Sequence, residues 1–86
     1  MNKEVKHDSK SKVFYIETKE GKAELSYSLD NKNMDVYHTY VPPSLRGRGL
    51  GLYLCRAALK LAEENNWDLT PSCVFMKKFL KKNRKS

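Results

Sequence analysis

The segment Arg46-Gly47-Arg48-Gly49-Leu50-Gly51 combines flexible backbone with positive charge, directly after Pro42 and Pro43. Glycine lets an external group approach backbone N–H groups without meeting a Cβ atom, and arginine offers donors suited to phosphate oxygens. If the segment opens a helix, the unpaired N–H groups of the first turn add to the attraction. The pattern therefore predicts an anion site, suited to a phosphate or a pyrophosphate.

Two common nucleotide-binding motifs do not fit this segment. A Walker A loop would need lysine followed by serine or threonine after its glycines, and neither pair follows here. A dinucleotide fold needs the spacing G-x-G-x-x-G and a parallel β-α-β unit, and the chain after the helix is too short for a doubly wound sheet. The alternative to an anion site is a tight turn whose arginines only reach solvent.

Hydrophobic periodicity predicts the elements that hold this loop. Alternation of apolar and polar residues indicates three successive antiparallel strands before the loop, and the third has Met34, Val36, His38 and Tyr40 on one face. Spacings of three and four then indicate a helix from about Gly49 to about Asn66. A short fourth strand broken by Pro71 and a last helix over residues 74–82 follow, the latter with Phe75, Phe79 and Leu80 on one side. The prediction is an α+β fold of order β-β-β-α-β-α, with a mainly antiparallel sheet and one main helix.

Composition indicates one small domain with basic ends. The chain has 86 residues and a formal net charge of +7. We divide it into a polar leader over residues 1–11, a domain over 12–82 and a basic tail over 83–86. The N-terminus has no apolar signal region and no segment is long enough to cross a bilayer, so we expect an intracellular protein, in the cytoplasm or the nucleus. The spacing of Cys55 and Cys73 does not suit zinc, and no metal site is predicted.

The stretch HTYVPPSLRGRGLGLYLCRAAL, followed by PSC at residues 71–73, resembles the small single-domain branch of the GNAT-type N-acetyltransferases. The resemblance covers roughly residues 12–82. It implies a minimal acetyl-CoA-binding core in which the backbone of the loop holds the pyrophosphate of coenzyme A. It also implies that the main chain at residues 38–41 pairs with the pantetheine arm, and that the thioester lies where the third and fourth strands meet. The coenzyme-binding residues expected on this basis are Thr39, Tyr40, Val41, Arg46, Gly47, Arg48, Gly49, Leu50 and Gly51.

Two residues are candidates for catalysis. In this branch a cysteine matching Cys73 lies near the sulfur of the coenzyme, where it would act as a nucleophile or as an acid or base. A helix beginning just after Cys73 would lower the pKa of its thiol, although a free cysteine is also often a small buried hydrophobe. His38 has the side chain type suited to a general base, or it is only a hydrogen-bonded strand residue. Members of the branch often carry a tyrosine where this chain has Phe75, which has no hydroxyl, and Cys55 is expected to pack in the core.

The resemblance implies transfer of an acetyl group from acetyl-CoA to an amine, either a protein lysine or a small amine. One alternative is a coenzyme-binding module or sensor with little catalysis. Another, supported only by the basic ends, is a nucleic-acid-binding domain. Lysines at 77, 78, 81 and 82 either reach the 3′-phosphate of the coenzyme or solvate the surface. We expect no membrane partner, and a monomer or a weak dimer.

Overall fold

The fold is a five-stranded sheet with two helices on one face. The computed structural model describes residues 4–82, so the basic tail predicted for residues 83–86 lies outside the described part of the chain. The strands lie side by side in chain order; the first four are antiparallel, and the last runs parallel to its neighbour. The α+β class is confirmed. The elements are β1 (Lys6–Asp8), β2 (Val13–Thr18), β3 (Gly21–Asp30), β4 (Asn33–Tyr40), a 3₁₀ turn (Pro43–Leu45), α1 (Leu50–Glu64), β5 (Asp68–Pro71) and α2 (Val74–Lys82).

Strand β1 lies inside the segment expected to be a polar leader. The predicted order β-β-β-α-β-α therefore omits one strand. Sequence reasoning missed it because all three of its residues are exposed and polar, so no hydrophobic alternation marks it. Backbone pairing with β2 holds it in place, and His7 stacks on the ring of Phe14 with a centroid separation of 4.2 Å. The ring nitrogen Nε2 of His7 also lies 2.7 Å from the hydroxyl of Tyr27, in a hydrogen bond.

Helix α1 packs the apolar residues of its inner side onto the sheet. Leu54 is wholly buried, which is worth about 1.5–3 kcal/mol of transfer free energy for a side chain of this size. Cys55 is also wholly buried, as expected for a core residue, and burial raises the pKa of its thiol to about 12. The core comprises Phe14, Ile16, Ala23, Leu25, Tyr27, Met34, Val36, Leu45, Leu50, Leu54, Cys55, Ala58, Ala62, Met76 and Phe79.

Helix α2 spans the predicted residues, but it is rotated relative to the expected orientation. Met76 and Phe79 form its buried side, whereas Phe75 is 41% exposed. The sequence pattern alone did not distinguish these faces, because apolar residues at 74, 75, 76, 79 and 80 surround much of the helix. Within residues 4–82, neither helix is long and apolar enough to cross a membrane.

A bulge in β4 and an early end of β5 open the sheet. Ser26 pairs with His38 and Tyr27 pairs with Val36, so Tyr37 is an extra residue on β4. Strand β5 pairs with β4 only as far as Val36, opposite Pro71. The last half of β4 therefore has no strand partner on that side within the described chain. This is the opening that the loop and the two helix starts surround.

Candidate functional site

The loop between β4 and α1 owes its shape to two glycines. Gly47 and Gly49 have φ angles of 84° and 79°, a left-handed conformation that side chains with a Cβ atom disfavour. A Cβ atom built on either glycine would meet nothing within 4 Å. Gly49 is also the N-cap of α1, and it has no side chain to cap the helix. The loop therefore keeps an open backbone surface directly at the start of the helix.

Gly51 has a different role from the other two glycines. A Cβ atom there would lie 2.4 Å from Cζ and 2.8 Å from Cε1 of the Phe75 ring. The glycine thus lets α1 and α2 approach closely, rather than leaving space for an external group as the sequence reasoning assumed. Its backbone still lies on the cleft described below.

The two arginines of the loop make different contacts. Arg46 donates from Nε to the carbonyl oxygen of Val41 at 3.0 Å, which ties the loop back to the end of β4. That bond does not use the terminal guanidinium nitrogens of Arg46. Arg48 donates from Nη1 to Oε1 of Glu20, 3.2 Å away, in the turn between β2 and β3. Sequence reasoning missed Glu20, because nothing in the sequence connects residues 28 positions apart.

A cleft of about 630 Å³ lies along this loop and the end of β4. It takes in every residue expected to bind the coenzyme except Arg48, whose side chain turns to Glu20 instead. Sequence reasoning did not place Phe75 here, although its ring forms part of the wall. The cleft is lined by Thr39, Tyr40, Val41, Leu45, Arg46, Gly47, Gly49, Leu50, Gly51, Leu52 and Phe75.

The open edge of β4 presents few free backbone groups to this cleft. Thr39 and Val41 direct backbone groups to the side of β4 away from β3, as their bonds to Cys73 and Arg46 show, and they alternate with Tyr40 as strand residues do. The Thr39 N–H is directed at the sulfur of Cys73, and the carbonyl of Val41 accepts from Arg46. The carbonyl of Thr39 and the N–H of Val41 remain as one acceptor and one donor.

Cys73 joins the opened strand to the second helix. Its backbone N–H donates to the carbonyl of Val36 at 2.9 Å, and its own carbonyl accepts from Lys77 at 3.0 Å as the first bond of α2. Its thiol donates to Oγ1 of Thr39 at 3.3 Å. Sequence reasoning gave Thr39 a main-chain role only; the bulge, which no sequence signal marked, brings its hydroxyl to the thiol.

The environment of Cys73 stabilises a thiolate. Burial by itself raises the pKa of this thiol. Hydrogen bonds lower it: once the thiol has lost its proton, the Thr39 hydroxyl donates to the sulfur in place of accepting from it, and the backbone N–H groups of Met76, Phe75 and Thr39 donate as well. The hydrogen bonds prevail, so the pKa lies below its ordinary value. This is the direction expected from a helix beginning just after Cys73.

His38 does not lie where the alternation of β4 placed it. We expected it on the face of Met34 and Val36, but this was wrong, because the extra residue Tyr37 reverses the alternation. Thr39 takes the inner position, and His38 is exposed on the outer face of the sheet and is not among the residues that line the cleft. Its role as a base stays a prediction. Among residues 4–82, no group of His, Cys, Asp and Glu side chains is arranged to hold a metal ion.

The fold and the site define a class of protein: a small α+β domain in which a glycine-rich loop opens a helix beside a strand edge left free by a gap in the sheet. Residues 13–86 match the family model described as GCN5-related N-acetyl-transferase. The chain belongs to the GCN5-related N-acetyltransferase family.

Individual relatives agree with this assignment. The NATD1 protein of Danio rerio is 34% identical over 82 residues, covering 92% of this chain and 74% of the relative, and NATD1 of Homo sapiens is 32% identical over 82 residues, covering 92% and 73%. A GCN5-like protein from Staphylococcus aureus, solved by NMR, is similar in structure. It superimposes with a TM-score of 0.74 at 36% identity, covering 94% of this chain and 80% of that one.

Proposed function

We propose that this protein transfers an acetyl group from acetyl-CoA to a primary amine. The observation that carries the proposal is the placement of two features beside one cleft. An open glycine-rich helix start lies at one end, and a thiol whose pKa is lowered contacts the cleft residue Thr39. Membership of the family supports the reaction class.

The loop fits the pyrophosphate of coenzyme A. Gly47 and Gly49 leave the backbone uncovered, and the first N–H groups of α1 are oriented toward an anion as at any helix start. The terminal nitrogens of Arg46 would add charged donors. Arg48 would contribute only by loosening its contact with Glu20.

The edge of β4 fits a single amide of the pantetheine arm. The carbonyl of Thr39 and the N–H of Val41 offer one acceptor and one donor, in the pattern by which an extended chain adds to a sheet edge. This is narrower than the whole stretch of residues 38–41 expected from the sequence. The gap between β4 and β5 continues from there toward Cys73.

A second groove of about 300 Å³ suits the adenosine end of the coenzyme. Leu52, Phe75 and Phe79 give it an apolar floor, and Phe75 and Leu52 are shared with the first cleft. Lysines at its rim would hold the 3′-phosphate, which is one of the two roles considered for them above. The rim lysines are Lys78, Lys81 and Lys82.

Cys73 supports two routes for the chemistry. As a thiolate it would attack the thioester carbonyl and take the acetyl group while the coenzyme leaves as its thiolate; a neutral amine would then attack and release Cys73. As a thiol it would protonate the departing coenzyme thiolate after direct attack by the amine. The lowered pKa of Cys73 favours the first route. Phe75 supplies no proton, so no aromatic hydroxyl substitutes for Cys73 at that position.

The second candidate function is coenzyme binding with little turnover. It is favoured by Phe75, whose hydroxyl-free ring forms part of the cleft wall two residues after Cys73. A sensor of this kind would need the loop and the grooves but not the chemistry of Cys73.

Mass spectrometry of the protein after brief incubation with acetyl-CoA tests the covalent route. We expect one added acetyl group, located on Cys73 and absent from Cys73→Ala, with the buried Cys55 unmodified as an internal control. Turnover by Cys73→Ala at the wild-type rate would contradict both roles of the thiol. Tight coenzyme binding without any acetylated amine product would favour the second candidate.

A further inference from the structure

The sheet has a second face that no described element covers. Both helices contribute to one core cluster, on the face that carries Met34 and Val36. Residues paired across neighbouring strands point to the same face of the sheet. The register therefore places the strand residues that alternate with the core residues on the uncovered face. We call this the outer face. Its charged residues are Lys6, Asp8, Glu17, Lys22, Glu24, Asp30, Asp35 and Asp68.

Charge is distributed unevenly between the outer face of the sheet and the loop and helices, with Lys10, Lys12, Lys19, Lys32 and Glu20 in the turns between strands counted on neither. The outer face carries six carboxylates and two lysines. One of these lysines, Lys6, is already paired with Glu17 at 3.4 Å. The loop and helices carry the opposite balance, with eight cationic side chains against Glu63 and Glu64. A protein of net charge +7 thus presents one locally acidic surface, which attracts a cation at short range.

Part of the outer face has the composition that binds ammonium groups. The half-buried Glu24 stands in register between Tyr15 on one neighbouring strand and Tyr40 on the other. The ammonium of Lys22 lies 5.3 Å from the centre of the Tyr15 ring, so the face already holds one alkylammonium against an aromatic ring. Nearer the gap in the sheet, Oδ1 of Asp35 is buried without a hydrogen-bond partner among the described residues.

The outer face also borders the gap in the sheet. The gap begins after Val36, where β5 ends; there the backbone N–H of Cys73 donates to the carbonyl of Val36, and its thiol contacts Thr39. Exposed Tyr37, exposed His38 and Tyr40, 42% exposed, continue along β4 from that point. An amine that arrives on the outer face would therefore reach the thioester through the gap, opposite the coenzyme.

We propose that the outer face is the docking surface for the acetyl acceptor, and that the acceptor is a lysine side chain in a basic polypeptide segment. The proposal rests on the proposed function. Carboxylates spread over five strands suit an extended chain with several cations, whereas a small amine is usually bound in a concave pocket. Neither of the two grooves described above has a carboxylate among its lining residues.

In this arrangement His38 would act as the base that accepts a proton from the acceptor. The lysine arrives as an ammonium and must lose a proton before it can attack, and the exposed imidazole of His38 on the same face would accept that proton. The lysine nitrogen then bonds to the acetyl carbon as the carbon–sulfur bond breaks. The sulfur that held the acetyl group, of coenzyme A or of Cys73, leaves as a thiolate.

Binding can be tested without any turnover. Short peptides that alternate lysine and glycine are titrated into ¹⁵N-labelled protein, beside matched peptides in which all lysines but one are replaced by glutamate. We expect the basic peptide to shift the signals of outer-face residues, to bind about tenfold more tightly than the acidic one, and to weaken with salt. Glu24→Gln and Asp35→Asn should each weaken it about threefold, as for partly exposed charges, whereas Glu63→Gln on α1 should not. If Asp35→Asn does not fold, Asp30→Asn replaces it.

The result that overturns the proposal is equal binding of the two peptides, or shifts confined to the helix side. Acetylation then separates the acceptor sources: with acetyl-CoA present, the basic peptide should be acetylated at least tenfold more efficiently than free spermidine. A preference for spermidine would overturn the polypeptide acceptor and leave the acetyltransferase proposal standing. Failure to bind acetyl-CoA, measured separately by calorimetry, would instead overturn the proposed function.

Discussion

Replacing Gly51 by alanine should change the free energy of unfolding in a direction that depends on whether the Phe75 ring is present. Replacing Gly51 by alanine places a Cβ atom 2.4 Å from Cζ of the Phe75 ring, whereas carbon atoms normally pack at about 3.5–4.0 Å. The ring must therefore move by about 1 Å or more. Since Phe75 is 41% exposed, it can turn outward, and we expect the protein to remain folded.

The magnitude follows from the covered part of the ring. An aromatic side chain buries about 150–250 Å² when fully enclosed, so about 120 Å² of Phe75 is covered, worth about 3 kcal/mol at most. Losing about half of that contact costs about 1.5 kcal/mol. Alanine in place of glycine in the helix returns about 0.5 kcal/mol. We expect Gly51→Ala to lower the free energy of unfolding by about 1 kcal/mol.

Urea denaturation of four proteins tests this reasoning: the wild type, Gly51→Ala, Phe75→Ala and the double variant. In the Phe75→Ala background the obstructing ring is gone, so Gly51→Ala should raise the free energy of unfolding by about 0.5 kcal/mol. The coupling free energy between the two positions should be about 1.5 kcal/mol. If Gly51→Ala stabilises both backgrounds equally, the ring does not lie on Gly51, and the wall of the cleft is built differently.

Two further predictions concern groups beside the cleft. Hydrogen bonds hold the pKa of Cys73 below its ordinary value, so its alkylation by iodoacetamide should reach half-maximal rate at a lower pH than that of a free cysteine. Thr39→Val should raise the pH of this midpoint. An unchanged midpoint would contradict the assigned hydrogen bonds. Glu20→Gln should leave the free energy of unfolding within about 1 kcal/mol, because the pair with Arg48 is partly exposed. It should tighten acetyl-CoA binding about two- to fivefold by releasing positive charge, and weaker binding measured by calorimetry would show that Glu20 instead positions the loop.

The sequence was sufficient for features that depend on local patterns. The glycine–arginine loop, helix α1 and the extent of α2 each follow from spacing within a few residues, and the motifs around Cys73 were specific enough to indicate the family. The structure differs from the sequence-based prediction where a single residue alters a long-range arrangement. The bulge at Tyr37 reverses which residues of β4 face inward, so Thr39 rather than His38 faces the core side.

Other features had no local signal at all. Strand β1 is held by backbone pairing with no apolar pattern, and the contact of Arg48 with Glu20 joins distant turns. The acidic character of the outer face was hidden by a net charge of +7, since composition reports the sum of charges and not their placement. Only the strand register shows that the carboxylates share one face.

Calorimetric titration with acetyl-CoA tests the central claim, that the glycine-rich loop and the cleft form a coenzyme site. We expect micromolar binding that prefers acetyl-CoA over ADP and over 3′-dephospho-CoA. Gly49→Val should abolish it, because valine disfavours the left-handed φ of 79° that shapes the loop. The matched control is Asn31→Val, which strains a left-handed residue with φ 58° in the turn between β3 and β4, away from the cleft; it should bind normally. Equal affinity for acetyl-CoA, ADP and 3′-dephospho-CoA would contradict the account. Wild-type affinity for acetyl-CoA in folded Gly49→Val would also contradict it.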